Sequence, residues 1–318
     1  MKDLLRIAEL SPTDLERLLE ISEDVCAAPH RHSTLLAGDT VITYFAKPST
    51  RTRLSFGSAI SHLGGVPEVV GPNELQLGRG ETIEDTARVV SRYARAFVIR
   101  TYSDDDVRRF AEAASIPVIN ALTDGHHPCQ ALADLLTLKQ HFGSLQGLRL
   151  AYLGDGNNVA HSLLEACALA GIDIAVATPP GYEPDPEVVA TAEQLATASG
   201  AIAVTTHDPL LAVAGVDAVY TDVWLSMGDD DDERTARAAA LKPYQVNEAV
   251  MAEASPEAVF MHCLPAHRGD EVSAAVIDGP RSVVLDEAEN RMHTAQALLI
   301  ALMTGLLSGR RALEAGAS

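Results

Sequence analysis

Short apolar runs alternate with stretches of helical periodicity along the chain. The runs at residues 41–45, 96–100 and 117–122 are rich in β-branched and aromatic residues, as is typical of buried strands. Between them, apolar residues recur every three to four positions, which predicts amphipathic helices. Strands that alternate with helices of this length predict βαβ units and a parallel sheet.

A second series of strands follows the segment 143–147, which has a glycine at each end. The predicted strands of this series are residues 148–153, 172–177, 201–205, 217–224 and 259–265. A helix from about residue 287 to residue 307 closes the chain. Two series of this kind predict two α/β domains rather than one.

We therefore predict an α/β fold with two domains, each a mostly parallel β-sheet flanked by helices, and the active site in the cleft between them. The first domain is predicted to comprise residues 1–143 together with the C-terminal helix 291–318. The second is predicted to comprise residues 144–290. A chain of 318 residues is long enough to give each domain its own core.

Composition and charge narrow the possible partners. The chain has 24 Lys and Arg against 44 Asp and Glu, a formal charge of −20, which argues against nucleic acid or an anionic membrane as a partner. The N-terminus lacks the apolar core of a signal peptide, and the longest apolar run is interrupted and too short to span a membrane. The four cysteines form no C-x-x-C pair, so no disulfide framework is indicated. We predict a cytoplasmic protein.

The segment 47–53, Lys-Pro-Ser-Thr-Arg-Thr-Arg, lies between the first strand and the helix after it. Ser49 or Thr50 is placed to cap that helix, whose first N–H groups have no intrahelical partner. An arginine in a first turn, as at Arg51 and Arg53, opposes the helix dipole unless an anion compensates it. We predict an anion site suited to phosphate. The alternative is a capped helix with two solvated arginines.

Other strand ends of the two domains also carry chemically active residues. Arg100 ends the strand 96–100, and His127 follows the next strand and precedes a helix. In the second domain, Asp222 and Cys263 lie near the ends of two predicted strands. Ligands of open α/β sheets gather at the carboxyl ends of the strands, so we expect binding groups at these positions. Cys263 has an alternative interpretation as an inert buried thiol.

The turn Gly154-Asp155-Gly156 suggests a dinucleotide site but lacks two parts of that motif. Val159 occupies the place of the third glycine, and no acidic residue closes the next strand. Asn157 and Asn158 stand at the start of a helix, where they either hold a polar group of a small ligand or cap the helix. The sequence leaves these two possibilities open.

Two further segments resemble metal sites only in composition. The segment 126–129, His-His-Pro-Cys, lacks the ligand spacing of a metal site. A hydrogen-bond donor to a substrate oxygen is the better functional interpretation of His127, and a structural histidine is the alternative. The acidic segment 229–232 lacks the spacing of a calcium loop. We predict neither a metal nor a cofactor.

Five short motifs follow one another over nearly the whole chain. They are Ser-Thr-Arg-Thr-Arg at 49–53, His-Pro-Cys-Gln at 127–130, Asp-Gly-Asn-Asn at 155–158, Asp222 with Ser-Met-Gly at 226–228, and His-Cys-Leu-Pro at 262–265. With these motifs the chain resembles the aspartate/ornithine carbamoyltransferase family. The last three motifs resemble those of its ornithine-specific members.

The resemblance implies an enzyme that transfers the carbamoyl group of carbamoyl phosphate to the side-chain amine of L-ornithine, giving L-citrulline and phosphate. The amine would attack directly, with arginine and histidine stabilising the transition state. The resemblance also implies a homotrimer, or a multiple of trimers, with sites at subunit interfaces, and a role in arginine metabolism. Whether that role is synthesis or breakdown stays open.

The resemblance further implies the roles of individual residues. Carbamoyl phosphate would be bound by Ser49, Thr50, Arg51, Thr52, Gln76, Arg100, His127, Gln130, Cys263, Leu264 and Arg291, with Gln76 reaching into a neighbouring subunit's site. Ornithine would be bound by Asn158, Asp222, Ser226 and Met227. The catalytic residues would be Arg100, His127, Cys263 and Asp222.

The sequence is also compatible with three alternatives to this function. The first keeps the chemistry and changes the acceptor to aspartate, putrescine or an acylated ornithine. The second is a nucleotide-binding oxidoreductase that uses the turn at Gly154. The third is a ligand-binding protein without catalysis.

Overall fold

Two β-sheets organise the chain, one in each of the two units into which its internal contacts divide it. The computed structural model describes residues 1–77, 80–224 and 231–309. The first unit comprises Met1–Thr123 and the segment from His293 onward, and the second comprises Asp124–Met292.

The sheet of the first unit has four parallel strands in the order β2-β1-β3-β4. The strands are β1 (Thr40–Phe45), β2 (Val66–Val70), β3 (Ala96–Arg100) and β4 (Val118–Leu122). The helices between and before them are α1 (Pro12–Ala27), α2 (Arg51–His62), α3 (Ile83–Val90) and α4 (Asp104–Ala113). A 3-10 turn at Ile7–Glu9 precedes α1.

Local sequence explains where the helices of the first unit begin. Ser11 caps α1 in a reciprocal capping box with Asp14, and Pro12 takes the first helical position, where its missing N–H costs nothing. Ser103 caps α4. Against the sheet, the rings of Phe97 and Phe110 stack 4.2 Å apart, and burying each contributes about 1.5–3 kcal/mol.

The sheet of the second unit has five parallel strands in the order β7-β6-β5-β8-β9. The strands are β5 (Arg149–Leu153), β6 (Asp173–Ala177), β7 (Ala203–Thr206), β8 (Ala218–Thr221) and β9 (Val259–Met261). The helices are α5 (Pro128–Phe142), α6 (Asn158–Ala170), α7 (Pro186–Ser199), α8 (Pro209–Val213), α9 (Asp231–Leu241), α10 (Glu248–Glu253) and α11 (Ala274–Ile277). Helix α12 (Val284–Met303) begins in this unit, and its part from His293 onward belongs to the first unit. A 3-10 turn, Lys242–Tyr244, follows α9.

Helices α5 and α6 are unusual in being buried on nearly all sides. Every residue of α6 from Val159 to Leu169 is buried, because its apolar residues lie on all sides of the helix rather than along one stripe. Asn157 caps α6, and Gly171 ends it in a left-handed conformation, which glycine adopts without steric cost.

The predicted fold class is confirmed: both sheets are parallel and are flanked by helices. Two predicted strands were too long. The strand predicted over 217–224 ends at Thr221, and the one predicted over 259–265 ends at Met261, so Asp222 and Cys263 lie in the turns that follow. The closing helix begins at Val284 rather than near residue 287.

The contact division also places α5 differently from the predicted domain boundary. The sequence put residues 124–143 in the first domain, whereas α5 contacts α6 and is grouped with the second unit. The segment 143–147 marks a break in the strand pattern of the sequence. The unit to which the helix before it belongs depends instead on the residues that this helix packs against, and these are not visible in the sequence. No helix of the described residues is long and apolar enough to cross a membrane.

Candidate active site

In the first unit, the order of the strands reverses between β1 and β3. The chain passes from β1 to β2 on one side of β1, and β3 lies on its other side. The carboxyl ends of two strands at such a switch point border a crevice where ligands bind in open α/β sheets. The segment 49–53 follows β1, and Arg100 ends β3. The structure therefore brings the segment 49–53, the predicted phosphate site, and Arg100 to the same edge of one sheet.

The segment 49–53 forms the first turn of α2. Thr50 occupies the cap position without a side-chain cap bond, and Ser49 Oγ accepts the Thr52 N–H at 3.3 Å. Of the two residues proposed as the cap, Ser49 is therefore the one that satisfies a free N–H. Arg51 is half-buried and Arg53 is exposed, so the two arginines of this turn differ in their surroundings.

The charges around this turn favour an anion. None of the residues 51–54 is acidic, although acidic residues are the usual partners of a helix N-terminus. Lys47 lies over the ring of Tyr102, 4.3 Å from its centroid. The Ala46 N–H donates to the Arg100 carbonyl at 2.9 Å, which ties the end of β1 to the end of β3. These contacts hold cationic side chains at the switch point with no carboxylate from the helix turn itself.

Gln76 lies in the polar loop that follows β2 and is exposed. Its predicted contact with a neighbouring subunit stays a prediction. Residues 78 and 79 of the same loop lie outside the described residues.

In the second unit, the strand order reverses between β5 and β8. The turn after β5 carries Asn157, and Asp222 directly follows β8. Asn157 Nδ2 donates to Asp222 Oδ2 at 2.9 Å. Its Oδ1 accepts the N–H groups of Val159 and Ala160 at 2.9 and 3.2 Å. Asn157 thus caps α6 and at the same time binds a carboxylate, while Asn158 is the first residue of α6 and is half-buried.

Cys263 joins the same group of residues. Its Sγ donates to Asp222 Oδ1 at 3.0 Å, and that oxygen also accepts the Val223 N–H at 2.7 Å. Burial and the neighbouring Asp222 carboxylate raise the pKa of the Cys263 thiol well above its usual range. The surroundings of Cys263 therefore favour the thiol form, which donates a hydrogen bond to Asp222, over a thiolate.

The turn after β9 is fixed by His262, which is fully buried. His262 Nδ1 accepts the Leu264 N–H at 2.8 Å, so its Nε2 carries the proton of the neutral ring. That nitrogen lies 3.3 Å from Glu271 Oε1. Leu264 has φ of 55°, a left-handed conformation that costs a leucine about 1–3 kcal/mol and is common at functional sites.

The start of α5 and the first half of α12 contribute a buried polar network. The His127 N–H donates to Ser162 Oγ at 2.7 Å. Arg291 Nη1 donates to Gln130 Oε1. Gln130 Nε2 donates to Asp134 Oδ1 and to Glu287 Oε1, both at 2.8 Å. Gln130 and Arg291, 161 residues apart, were predicted for one ligand and are brought together.

Sequence reasoning missed three residues of these groups: Asn157 as the partner of Asp222, and Asp134 and Glu287 beside Gln130. A signal for the last two was present. Asp134 lies one helical turn after Gln130, and Glu287 one turn before Arg291. Carboxylates in such apolar helices are rare unless they have buried partners.

Ser226 and Met227, predicted to bind ornithine, lie outside the described residues. Among the residues that are described, Asp222, His262 and Cys263 offer atoms that lie within 4.8 Å of one another and are of types that bind metals. In this structure the same side chains make the hydrogen bonds given above. The absence of a metal stays a prediction.

Comparison with protein families assigns each half of the chain. The family described as "Aspartate/ornithine carbamoyltransferase, carbamoyl-P binding domain" matches residues 2–140, and its "Asp/Orn binding domain" matches residues 146–302. The chain belongs to the aspartate/ornithine carbamoyltransferase family. This confirms the resemblance that the five motifs indicated.

Relatives within the carbamoyltransferase family are similar over almost their whole length. The chain is 54% identical over 306 residues to an ornithine carbamoyltransferase of Parafrankia sp. (strain EAN1pec), covering 95% of this chain and 96% of the relative. It is 49% identical to that of Pyrococcus abyssi, covering 97% and 98%. The solved ornithine carbamoyltransferase of Pyrococcus furiosus has a TM-score of 0.92 and 48% identity, covering 96% of this chain and 97% of that one. The roles of individual residues stay predictions.

Proposed function

We propose that the chain transfers the carbamoyl group of carbamoyl phosphate to the side-chain amine of L-ornithine, giving L-citrulline and phosphate. The observation that carries this proposal is the match to both family domains together with relatives of that activity that are about half identical over nearly the whole chain. Two switch points with suitable chemistry, one in each sheet, agree with it.

In this proposal the first unit binds the phosphate. The N–H groups at the start of α2, the hydroxyls of Ser49 and Thr52, and the guanidinium groups of Arg51 and Arg100 match the oxygens of a phosphate. A hydrogen bond to a charged group contributes about 1.5–3 kcal/mol net. These groups stabilise the leaving phosphate, so the reaction needs no cofactor to carry that charge.

The carbamoyl group needs both donors and acceptors. As the amine attacks, negative charge develops on the carbonyl oxygen, and Thr52, Arg100 and His127 are the proposed donors, one such donor being worth roughly 3 kcal/mol. Gln130 has both amide hydrogens bound to carboxyl oxygens, so it can only accept at Oε1. The carbamoyl NH2 is a donor of the kind that Oε1 accepts.

The second unit is proposed to bind ornithine. Asp222 presents a carboxylate whose position is fixed by Asn157 and by the Cys263 thiol, which suits an ammonium or amine group. The attacking amine has a pKa of about 10 in water, so it must lose a proton before it attacks. We propose that Asp222 and Cys263 orient the amine. Asn158, Ser226 and Met227 are proposed to complete the site.

We propose that the protein acts in the cytoplasm, in arginine biosynthesis, as a homotrimer or a multiple of trimers. Gln76 is proposed to reach the carbamoyl phosphate of a neighbouring subunit, since it is exposed in a polar loop.

An acceptor screen tests the proposed function. Purified protein is mixed with carbamoyl phosphate and one of L-ornithine, L-aspartate, putrescine or an N-acylated ornithine, and phosphate release and the carbamoylated product are measured. We expect L-ornithine to give a kcat/KM at least about a hundredfold above the others, because a charged group left unpaired in a buried site costs several kcal/mol. A preference for another acceptor, or heat protection by NAD but not by carbamoyl phosphate, would overturn the proposal.

A further inference from the structure

Two carboxyl groups lie side by side in the interior of the second unit. Asp134 comes from α5 and Glu287 from α12, and both side chains are fully buried. Gln130 Nε2 donates one hydrogen to each of them at 2.8 Å. Two ionised carboxylates held by one amide nitrogen in the interior would repel each other, which favours a proton on one of them.

The charges around the pair support a single negative charge. Burial raises the pKa of both carboxyls. Arg291 supplies one positive charge at Gln130 Oε1. Among the described residues, the titratable groups near the pair and Arg291 include Tyr220, Asp222, His262, Cys263, Cys129 and Cys167. One carboxylate balances one guanidinium, whereas two would leave an uncompensated buried charge.

Hydrogen-bond donors distinguish the two carboxyls. Glu287 Oε1 accepts from Gln130 and from the Tyr220 hydroxyl at 3.2 Å, and its Oε2 accepts the His262 N–H at 3.0 Å. Asp134 Oδ1 accepts from Gln130, and among the described residues no N–H or O–H donor reaches its Oδ2. A proton on Glu287 would face a donor, while a proton on Asp134 Oδ2 would not.

We propose that Asp134 and Glu287 are a positioning pair for the carbamoyl-phosphate site, in which the proton on Asp134 leaves Glu287 as the carboxylate that orients Gln130 and the His262 turn. The inference rests on the proposed function. With both Nε2 hydrogens bound to the pair, Gln130 must direct Oε1 toward Arg291. The reversed amide would point its NH2 at a guanidinium that can only donate.

Neither carboxyl is a catalytic residue in this proposal, because each acts through another side chain. Glu287 fixes the backbone of His262, directly before Cys263, and fixes the amide of Gln130. The pair therefore links Gln130 with His262, which belong to two of the five motifs and are 132 residues apart in the sequence. Loss of the pair should weaken carbamoyl phosphate binding before it affects ornithine binding.

Amide substitutions of the two carboxyls test the proposal. Asp134→Asn keeps an oxygen for Gln130 and places an NH2 where the proton was, so we expect kcat/KM to stay within about threefold of wild type. Glu287→Gln must turn an NH2 toward Gln130, Tyr220 or His262, each a donor. We expect it to raise the KM for carbamoyl phosphate about tenfold or more, with the KM for ornithine changed much less. We expect Asp134→Ala, unlike Asp134→Asn, to lower kcat/KM.

A measurement that does not depend on enzyme activity distinguishes failure of this inference from failure of the proposed function. A buried protonated carboxyl gives an infrared carbonyl band that ionised carboxylates lack. We expect Asp134→Asn to remove this band from the folded protein, whether or not the wild type makes citrulline. If the band survives in Asp134→Asn and is lost in Glu287→Gln, or if Glu287→Gln leaves the KM for carbamoyl phosphate unchanged, the proposal is overturned.

A milder variant covers the case in which Glu287→Gln does not fold. Tyr220→Phe removes one donor to Glu287 and keeps the ring, so we expect it to raise the KM for carbamoyl phosphate about threefold. An unchanged KM in a folded Tyr220→Phe protein would count against a positioning role of Glu287. Circular dichroism and the melting temperature confirm that each variant is folded.

Discussion

At the scale of single residues, side chains that look equivalent in the sequence differ in their surroundings. Arg51 and Arg53 stand two positions apart in one helical turn, yet the first is half-buried and the second exposed. Burial and the neighbouring Asp222 carboxylate raise the pKa of the Cys263 thiol. Neither distinction is visible from the residue type, because burial and neighbouring charge determine what a side chain contributes.

The two arginines of the phosphate segment provide a matched pair of variants. We expect Arg51→Ala to raise the KM for carbamoyl phosphate roughly tenfold to a hundredfold, since a hydrogen bond to a charged group contributes about 1.5–3 kcal/mol. Arg53→Ala serves as the control and should change the KM less than about threefold. Steady-state kinetics with ornithine saturating measure both. Equal effects of the two substitutions would show that the turn does not bind phosphate through Arg51.

The Cys263 thiol is expected to matter as a donor. Cys263→Ala removes the bond to Asp222 and should lower kcat with little change in carbamoyl phosphate affinity, by about tenfold if the bond contributes about 1.5 kcal/mol. Cys263→Ser retains a donor and should recover part of that loss. Cys26→Ala, at a cysteine outside the predicted site, is the control. A serine variant as impaired as the alanine variant would argue against the hydrogen-bond role.

At the scale of elements, the sequence predicted the strands and the chemistry of their ends, and the reason is local. Buried strands such as β3 and β8 are marked by apolar runs, and Arg100 and Asp222 stand at or directly after their ends. The strand order could not be predicted, because pairing depends on contacts between distant segments. For the same reason the sequence did not predict the hydrogen bond between Asn157 and Asp222, which are 65 residues apart. The sequence also did not predict that Asp134 and Glu287 both accept hydrogen bonds from Gln130.

Substitutions of two asparagine caps distinguish an effect on stability from an effect on ornithine binding. Asn157 caps α6 and holds Asp222, while Asn247 caps α10 in the same way without such a partner among the predicted site residues. Replacing either by alanine should lower the free energy of unfolding by about 0.5–2 kcal/mol. Asn157→Ala alone should also raise the KM for ornithine about tenfold, because the Asp222 carboxylate loses a hydrogen bond. Denaturant unfolding and initial rates on both variants make the comparison; similar ornithine KM values would refute it.

At the scale of the whole molecule, buried acids make stability depend on pH. The pKa of Asp134 is raised from 3.8 to about 7 in the folded protein. Between these values the folded state binds more protons than the unfolded state, so this group makes the protein less stable as pH rises through that window. Above about pH 7 the loss is complete. The cost of a second buried charge is then present at every higher pH.

Removing this ionisable group should flatten the pH profile of stability. Asp134→Asn cannot ionise, so its melting temperature should fall less than that of wild type between pH 5 and pH 8. Calorimetry or fluorescence melting at several pH values measures the difference. Asp278→Asn is a control, because Asp278 is exposed in an ion pair with Arg268 that holds its pKa below the usual range. Parallel curves for Asp134→Asn and wild type would contradict the expectation.

The sheets also have a consequence for how the chain folds. All strand pairs within the two sheets are parallel, so no pair can close through a tight hairpin. Even the shortest connection between paired strands, residues 101–117, contains the whole of α4. Each pairing must therefore close a long loop before it gains any contact energy, which places the folding rate toward the slow end of the range for α/β proteins. Until then the edges of the unpaired strands are open to other chains, and low temperature and low protein concentration should favour refolding over aggregation.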